Sequence, residues 1–261
     1  MRFHGLVGFS DVLSAVRLPR GDSDIPRREP ATGQGFVAET RVGTWFLGTE
    51  TWAVHVLERA IKDLVRLMGD RRPVAPAILD VGCGWGRSFA LLKSYLDAGR
   101  LIGVEVDQIM LKASAAEARR HALNVELINA SSSCLPLAGT SIDIVFCHQT
   151  FHHLVDQNGA IAEFRRVLKP GGLLLFAEST RAYIESWIIR LLFRHPMDVQ
   201  KSASEYLNLI RESGFFVDSE SISLPYLWWS RADLGLKERV FGIAPPASRE
   251  ETLINLVAVR L

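Results

Sequence analysis

Directly after the apolar run Ala77-Ile78-Leu79 the chain places Asp80, then three glycines at alternate positions, Gly82, Gly84 and Gly86, with Cys83 between the first two. Backbone without side chains can approach a ligand closely, and a helix starting just beyond the turn aims its free N–H groups at the same spot. Asp80 decides the ligand's charge, because a carboxylate at such a turn disfavours a phosphate and favours an ammonium group. About 25 residues on, Glu105 ends a second apolar run and brings a second carboxylate to a strand end. His148, His152 and His153 follow the apolar run Ile142–Cys147, where an imidazole could take a proton from a nucleophile. These residue types ask for a small, polar, nucleotide-like ligand that carries a cation.

Such groups need elements that carry them to one edge of a sheet. Strands are expected at Ala77–Val81, Leu101–Val106, Val125–Asn129, Ile142–Cys147 and Leu173–Glu178, with Lys169-Pro170-Gly171-Gly172 as a break before the last. Helices are expected between them at Gly86–Ala98, Ile109–Leu123 and Asn158–Leu168, and another at Trp52–Met68 ahead of the first strand. Apolar strands alternating with amphipathic helices make a parallel sheet with right-handed crossovers, covered on both faces. Beyond the fifth strand come helix candidates Arg181–Arg194 and Ala203–Ser213, then strands near Ser219–Trp229 and Leu253–Arg260 that read as an antiparallel edge. At the other end, Phe3–Leu18 could form a short amphipathic helix and Pro19–Gly35 has loop composition.

The 261 residues, 48% apolar and 23% charged, suit a full core and one large α/β domain. A net charge of +1 gives no basic footprint, which argues against nucleic acid as a partner. Cys83, Cys134 and Cys147 are odd in number and widely spaced, the usage of free thiols in a reducing compartment. Asp11, Ser14 and Arg17 interrupt any leader-like apolar run, and no stretch has the length of a bilayer span; a cytoplasmic location is expected.

The glycine spacing is not the G-x-G-x-x-G of dinucleotide-binding turns, and no Gly-Lys-Ser/Thr follows as in a phosphate-binding Walker loop. The stretch from Asp80 to Gly86 instead resembles the first motif of the class I S-adenosylmethionine-dependent methyltransferases. The likeness runs on through Ile102-Gly103-Val104-Glu105-Val106-Asp107, Leu135-Pro136-Leu137, Ser141 to Val145, Phe151-His152-His153-Leu154 and Glu163 to Gly172, in order, over roughly residues 75–180. The style is that of the quinone and sterol methyltransferases and related small-molecule enzymes. The resemblance implies a Rossmann-like three-layer sandwich with a seven-stranded, mostly parallel sheet and one antiparallel edge strand. It implies S-adenosylmethionine as cofactor, with Asp80, Gly82, Cys83, Gly84 and Gly86 beside its methionine part, Glu105 on the ribose and Val106 against the adenine. Where the family usually has an acid to bond the adenine amino group, this chain has Ser131, followed by Ser132; a hydroxyl there bonds without charge assistance. His148 is expected both at the cofactor and, with His152 and His153, as a candidate base; His153 is the one expected to point into the fold.

The absence of Asn/Asp-Pro-Pro-Tyr/Phe after the fourth strand argues against amines of bases or glutamine amides as acceptors, and Asp156 alone does not make a magnesium site; no metal is expected. A small, partly apolar organic acceptor remains, its methylated atom open. Residues 1–52 are expected to cap a domain of residues 53–261, with Val42–Trp52 as a second wall and a helical lid at about 181–200. Ile184, Trp187, Ile188, Leu191 and Leu192 fall on one face of that lid, which could pack on the sheet, cover an apolar substrate or touch a membrane surface. Two rivals stay open: a non-catalytic binding or scaffold protein on the same fold, and an NAD-dependent oxidoreductase.

Overall fold

The computed structural model describes residues 40–231, 236–244 and 246–261. The segments Phe3–Leu18 and Pro19–Gly35 lie outside the described residues. One mixed sheet organises the rest. Its strands are β1 (Ala77–Val81), β2 (Arg100–Glu105), β3 (Val125–Asn129), β4 (Ile142–His148), β5 (Leu168–Ser179), β6 (Phe215–Phe216), β7 (Ile222–Ser223) and β8 (Leu253–Arg260). The order is β3-β2-β1-β4-β5-β8-β6, with β7 also paired to β8. The first five run parallel, and β8 lies antiparallel against β5 over seven residue pairs, from Leu173↔Val259 to Ser179↔Leu253.

Alternation along the strands feeds two cores. Leu79, Val81, Val145 and Cys147 face a layer that includes Ile161 and Phe164 of the helix Gln157–Val167 and Tyr206 and Ile210 of the helix Ala203–Glu212. Ile78, Ile144 and Phe146 face the opposite layer, with Ile61, Leu64 and Met68 of Glu58–Met68, Phe89 and Leu92 of Ser88–Leu96, and Leu111 of Gln108–Arg120. Both faces are covered, as parallel strands require. The three-layer architecture expected from the sequence is therefore observed.

Three details differ from expectation. Among the described residues the sheet has eight strands, because Phe215–Phe216 adds one that the sequence did not suggest; the strand expected over Ser219–Trp229 shrinks to Ile222–Ser223, and β8 is flanked by these short antiparallel pieces rather than forming the edge itself. Lys169-Pro170-Gly171-Gly172 does not end the pairing. Leu168 already pairs with Ile142, the four residues bulge out with Gly171 at φ +75°, and pairing resumes at Leu173↔Ile144. Asp143, opposite the bulge, accepts from the Ala77 amide at 2.9 Å and pairs with Lys169 at 2.7 Å, so three strands start from one carboxylate. Finally, Arg181–Arg194 is two short helices, Arg181–Ile184 and Trp187–Leu192, and the break at Glu185-Ser186 turns the apolar face. Ile184 and Ile189 are buried, whereas Trp187 is 65% and Leu191 72% exposed. Among the described residues no helix is long and apolar enough to cross a membrane.

Candidate active site

The strand order reverses between β1 and β4, and the crevice at their carboxyl ends is where open α/β sheets bind ligands. β1 delivers Asp80 and the glycine turn there, β2 delivers Glu105 and β4 delivers His148, around a cavity of about 390 Å³.

Gly82, Gly84 and Gly86 all have positive φ, at +67°, +51° and +74°. Their reasons differ. A Cβ on Gly82 would lie 2.3 Å from Thr150 Cγ2 and one on Gly86 2.7 Å from Phe89 Cε2, so these two let neighbouring elements close up. A Cβ on Gly84 would meet nothing nearer than the Gly82 carbonyl oxygen at 3.9 Å, so Gly84 is the open backbone facing the cavity. Gly86 is not among the residues lining the cavity; it packs against Phe89 and Ser114 of the adjoining helices.

Glu105 is nearly buried, yet each of its oxygens is fixed by backbone. Oε2 accepts from the Gly84 amide at 3.0 Å, and Oε1 accepts from the amides of Val106 and Asp107, both at 2.9 Å. Burial raises its pKa, and the three N–H groups oppose that shift. The carboxylate is thus pre-oriented, with one acceptor site, on Oε2, left for a ligand's hydroxyl. Asp80 is buried below the turn and accepts from the Ser88 hydroxyl. Burial lifts its pKa to about 7, against the Ser88 bond and helped by the charge of Glu105. Cys83 lines the cavity wall, its thiol pushed up by burial and by Asp80. Val106, Ile109, Met110 and Ala130 add an apolar side at the β2 end, suited to a flat ring.

Ser132 lines this end but Ser131 does not. Ser131 Oγ lies 3.0 Å from Ser133 Oγ and accepts from the Ser133 amide, so it closes its own turn. The histidines also exchange places relative to expectation. His153 lines the cavity, and His152 is the one that points inward. His152 Nδ1 sits 2.6 Å from Glu178 Oε2, a fully buried carboxylate whose other oxygen accepts from the amides of Thr150 and Phe151 at 2.9 and 2.8 Å. His152 does not line the cavity, and its bond to Glu178 through Nδ1 leaves Nε2 as the ring nitrogen open to other partners. His148 is stacked on Phe146 and edge-on to Trp52, and its buried Nε2 has no hydrogen-bond partner. Burial drives its pKa down to about 3, so the ring is neutral at pH 7.

Several contributors carried no signal in the sequence. Arg87 clasps the N-terminal segment over the turn, through Glu50 at 3.0 Å and the Gly48 carbonyl at 2.8 Å, while Glu117 of Gln108–Arg120 accepts from it at 3.2 Å. A π-helical turn at Ala53–Leu57 separates Trp52 from Glu58–Met68, and both Trp52 and Leu57 reach the cavity. Gln149, at φ +51°, is held by the Ser179 hydroxyl at 2.6 Å. A second cavity of about 360 Å³, with Val56, Pro225, Leu227 and Trp229 in its wall, meets the first at His148 and Gln149. No residue of Arg181–Arg194 lines either of these two cavities.

Comparison with known proteins bears on this geometry. Residues 79–176 match the family described as methyltransferase domain. A malonyl-[acyl-carrier protein] O-methyltransferase of Xylella fastidiosa is 34% identical over 122 residues, 46% of this chain and 40% of the relative. A demethylmenaquinone methyltransferase of Lactococcus lactis is 28% identical over 177 residues, 64% of this chain and 69% of the relative. The chain spans less than half the length of the curated relatives it matches first. Among solved structures, an S-adenosylmethionine-dependent methyltransferase of Aquifex aeolicus superposes with a TM-score of 0.59 at 16% identity, covering 84% of this chain and 97% of that one. At that identity the likeness is one of fold.

Proposed function

Since the chain belongs to the class I S-adenosylmethionine-dependent methyltransferase family, we propose that it transfers a methyl group from S-adenosylmethionine to a small, partly apolar organic acceptor. The observation that carries this reading is Glu105, whose two oxygens are locked by three backbone amides at the wall of a cavity with room for a nucleoside. The donor set fits the whole cofactor. Asp80 suits an ammonium group, Gly84 gives open backbone beside it, Glu105 suits a ribose hydroxyl and the side of Val106, Ile109, Met110 and Ala130 suits the adenine. When bound, the cofactor supplies an electrophilic methyl on a sulfonium.

The chain's own task is then to hold a nucleophile in line and dry, since charge is neutralised as the methyl moves. We place the acceptor in the second cavity, which touches the first at His148 and Gln149. Val56, Leu227 and Trp229 would exclude water around it. His148, neutral and with an unpartnered Nε2, would orient an acceptor oxygen rather than remove its proton. That favours acceptors whose oxygen is already acidic, such as a carboxylic acid or an enol. Residues 40–52, clasped by Arg87, would serve as the cap over the cofactor.

Calorimetric titration with S-adenosylmethionine, its demethylated product and NAD is the test. Binding of both sulfur ligands and not NAD is expected; binding of NAD alone would overturn the reading in favour of an oxidoreductase. Turnover on carboxylic or enolic acceptors then separates an enzyme from a scaffold on the same fold.

A further inference from the structure

We propose that His152, His153 and His195 form a binding site for a divalent transition-metal ion of the zinc type. The three rings are mutual neighbours, with centroids 4.3, 4.8 and 5.1 Å apart, and one ring nitrogen from each lies within 4.8 Å of the others. Around a tetrahedral ion with bonds of about 2.0–2.1 Å, neighbouring nitrogens sit about 3.4 Å apart, so side-chain rotations of roughly 1 Å close the set.

The surroundings are those of a built site. A metal-bound imidazole usually passes its second ring nitrogen to a carboxylate, which fixes the tautomer and strengthens the donor. Glu178 does this for His152 at 2.6 Å, and is itself fixed by the Thr150 and Phe151 amides. Gln200 joins the two segments that supply the histidines. Its side-chain amide donates to the carbonyl of His152 and to that of Pro196, next to His195, each at 2.8 Å. The donor set is all imidazole, which selects zinc, cobalt, nickel or copper over magnesium or calcium. The absence of a metal expected from the sequence rested on the lone Asp156 and on the wide spacing of the three cysteines. It did not weigh a set completed by a histidine 42 residues beyond His153 in the chain.

Three protein ligands leave a fourth position, and His153 also lines the main cavity. Polarising an acceptor oxygen at that wall would be the ion's use. This use rests on the methyl-transfer reading, whereas the binding of the ion does not.

The test takes the full chain without a histidine tag, stripped with a chelator and titrated with Co²⁺ in the absence of cofactor and acceptor. One ion per chain with the visible absorption of four-coordinate cobalt, displaced by Zn²⁺, is expected. His195→Ala should weaken Co²⁺ binding at least tenfold and lose that absorption; Glu178→Gln should weaken it about 10- to 100-fold. Circular dichroism checks that each variant is folded, and if Glu178→Gln is not, the partly exposed His195 still decides the matter. A spectrum that stays that of the hydrated ion, or equal affinity in His195→Ala, overturns the proposal.

Discussion

The two ends of the crevice are built differently. At the β1–β2 end the ligand-facing groups are backbone, or carboxylates bonded by backbone: Gly84, and Glu105 with its three amides. At the other end, around Trp229 and the segment 40–57, the surfaces are side chains on short helices and turns, beside His148 at the end of β4. The first is as rigid as the sheet that carries it. The second is tied on by side-chain contacts, such as Arg87 on Glu50 and the Gly48 carbonyl, the Thr40 hydroxyl donating to the Leu192 carbonyl at 2.6 Å and the edge-on packing of Phe46 on Phe193. Binding a constant cofactor needs the former, and fitting a particular acceptor is open to change in the latter.

This contrast can be broken most severely at the turn. Gly82→Ala combines φ +67° with a methyl 2.3 Å from Thr150, and should cost about 2–4 kcal/mol of stability by chemical denaturation. Gly84→Ala faces open space, so only its backbone conformation counts, at about 1–2 kcal/mol, but it should also block the ligand. If the two variants lose equal stability, the separate roles given to these glycines are wrong.

Asp80 tests the same end through charge. Its folded pKa, raised to about 7, means that the carboxylate is charged only above that pH. A cationic ligand prefers the charged form, so cofactor affinity should fall as pH drops through 7. For folding the sign is opposite. The unfolded carboxyl ionises near 4, so the folded state loses stability as pH rises from there to 7. Asp80→Asn should therefore bind cofactor at least tenfold more weakly at pH 8 yet melt higher than the parent, with the gain in melting temperature shrinking towards pH 4. A variant that binds normally would remove Asp80 from the site.

The smallest effects belong to the far end and to Ser131. Trp187→Ala and Leu191→Ala, both exposed, should change stability by no more than about 0.5 kcal/mol and leave cofactor affinity untouched. Ser131→Asp should shift cofactor affinity less than twofold, because Ser131 bonds within its own turn; a tenfold gain would place the adenine beside it after all.

Legibility in the sequence follows the same division. β1 and β3 run as their apolar runs and turn residues indicate, and the order of motifs carried the cofactor end. The misreadings fall where tertiary contacts overrule local pattern. Periodicity made Arg181–Arg194 one helix, but Ser186 opens a new one and the buried side becomes that of Ile184 and Ile189. Pro170 and the glycines looked like a stop, yet Leu168 still reaches Ile142 across a bulge. His152 turns inward because Glu178, 26 residues later on β5, offers it a buried partner, and no spacing rule shows that. Arg87, Gln149 and His195 were silent for the same reason, since each acts through residues distant in the chain.

The most direct test is calorimetric titration of S-adenosylmethionine into the parent chain and into Glu105→Ala. The parent should bind one equivalent, and the variant, folded by circular dichroism, should bind at least a hundredfold more weakly. Near-equal affinity in the two would contradict the assignment of Glu105 to the ribose, and with it the account of the rigid end of the crevice.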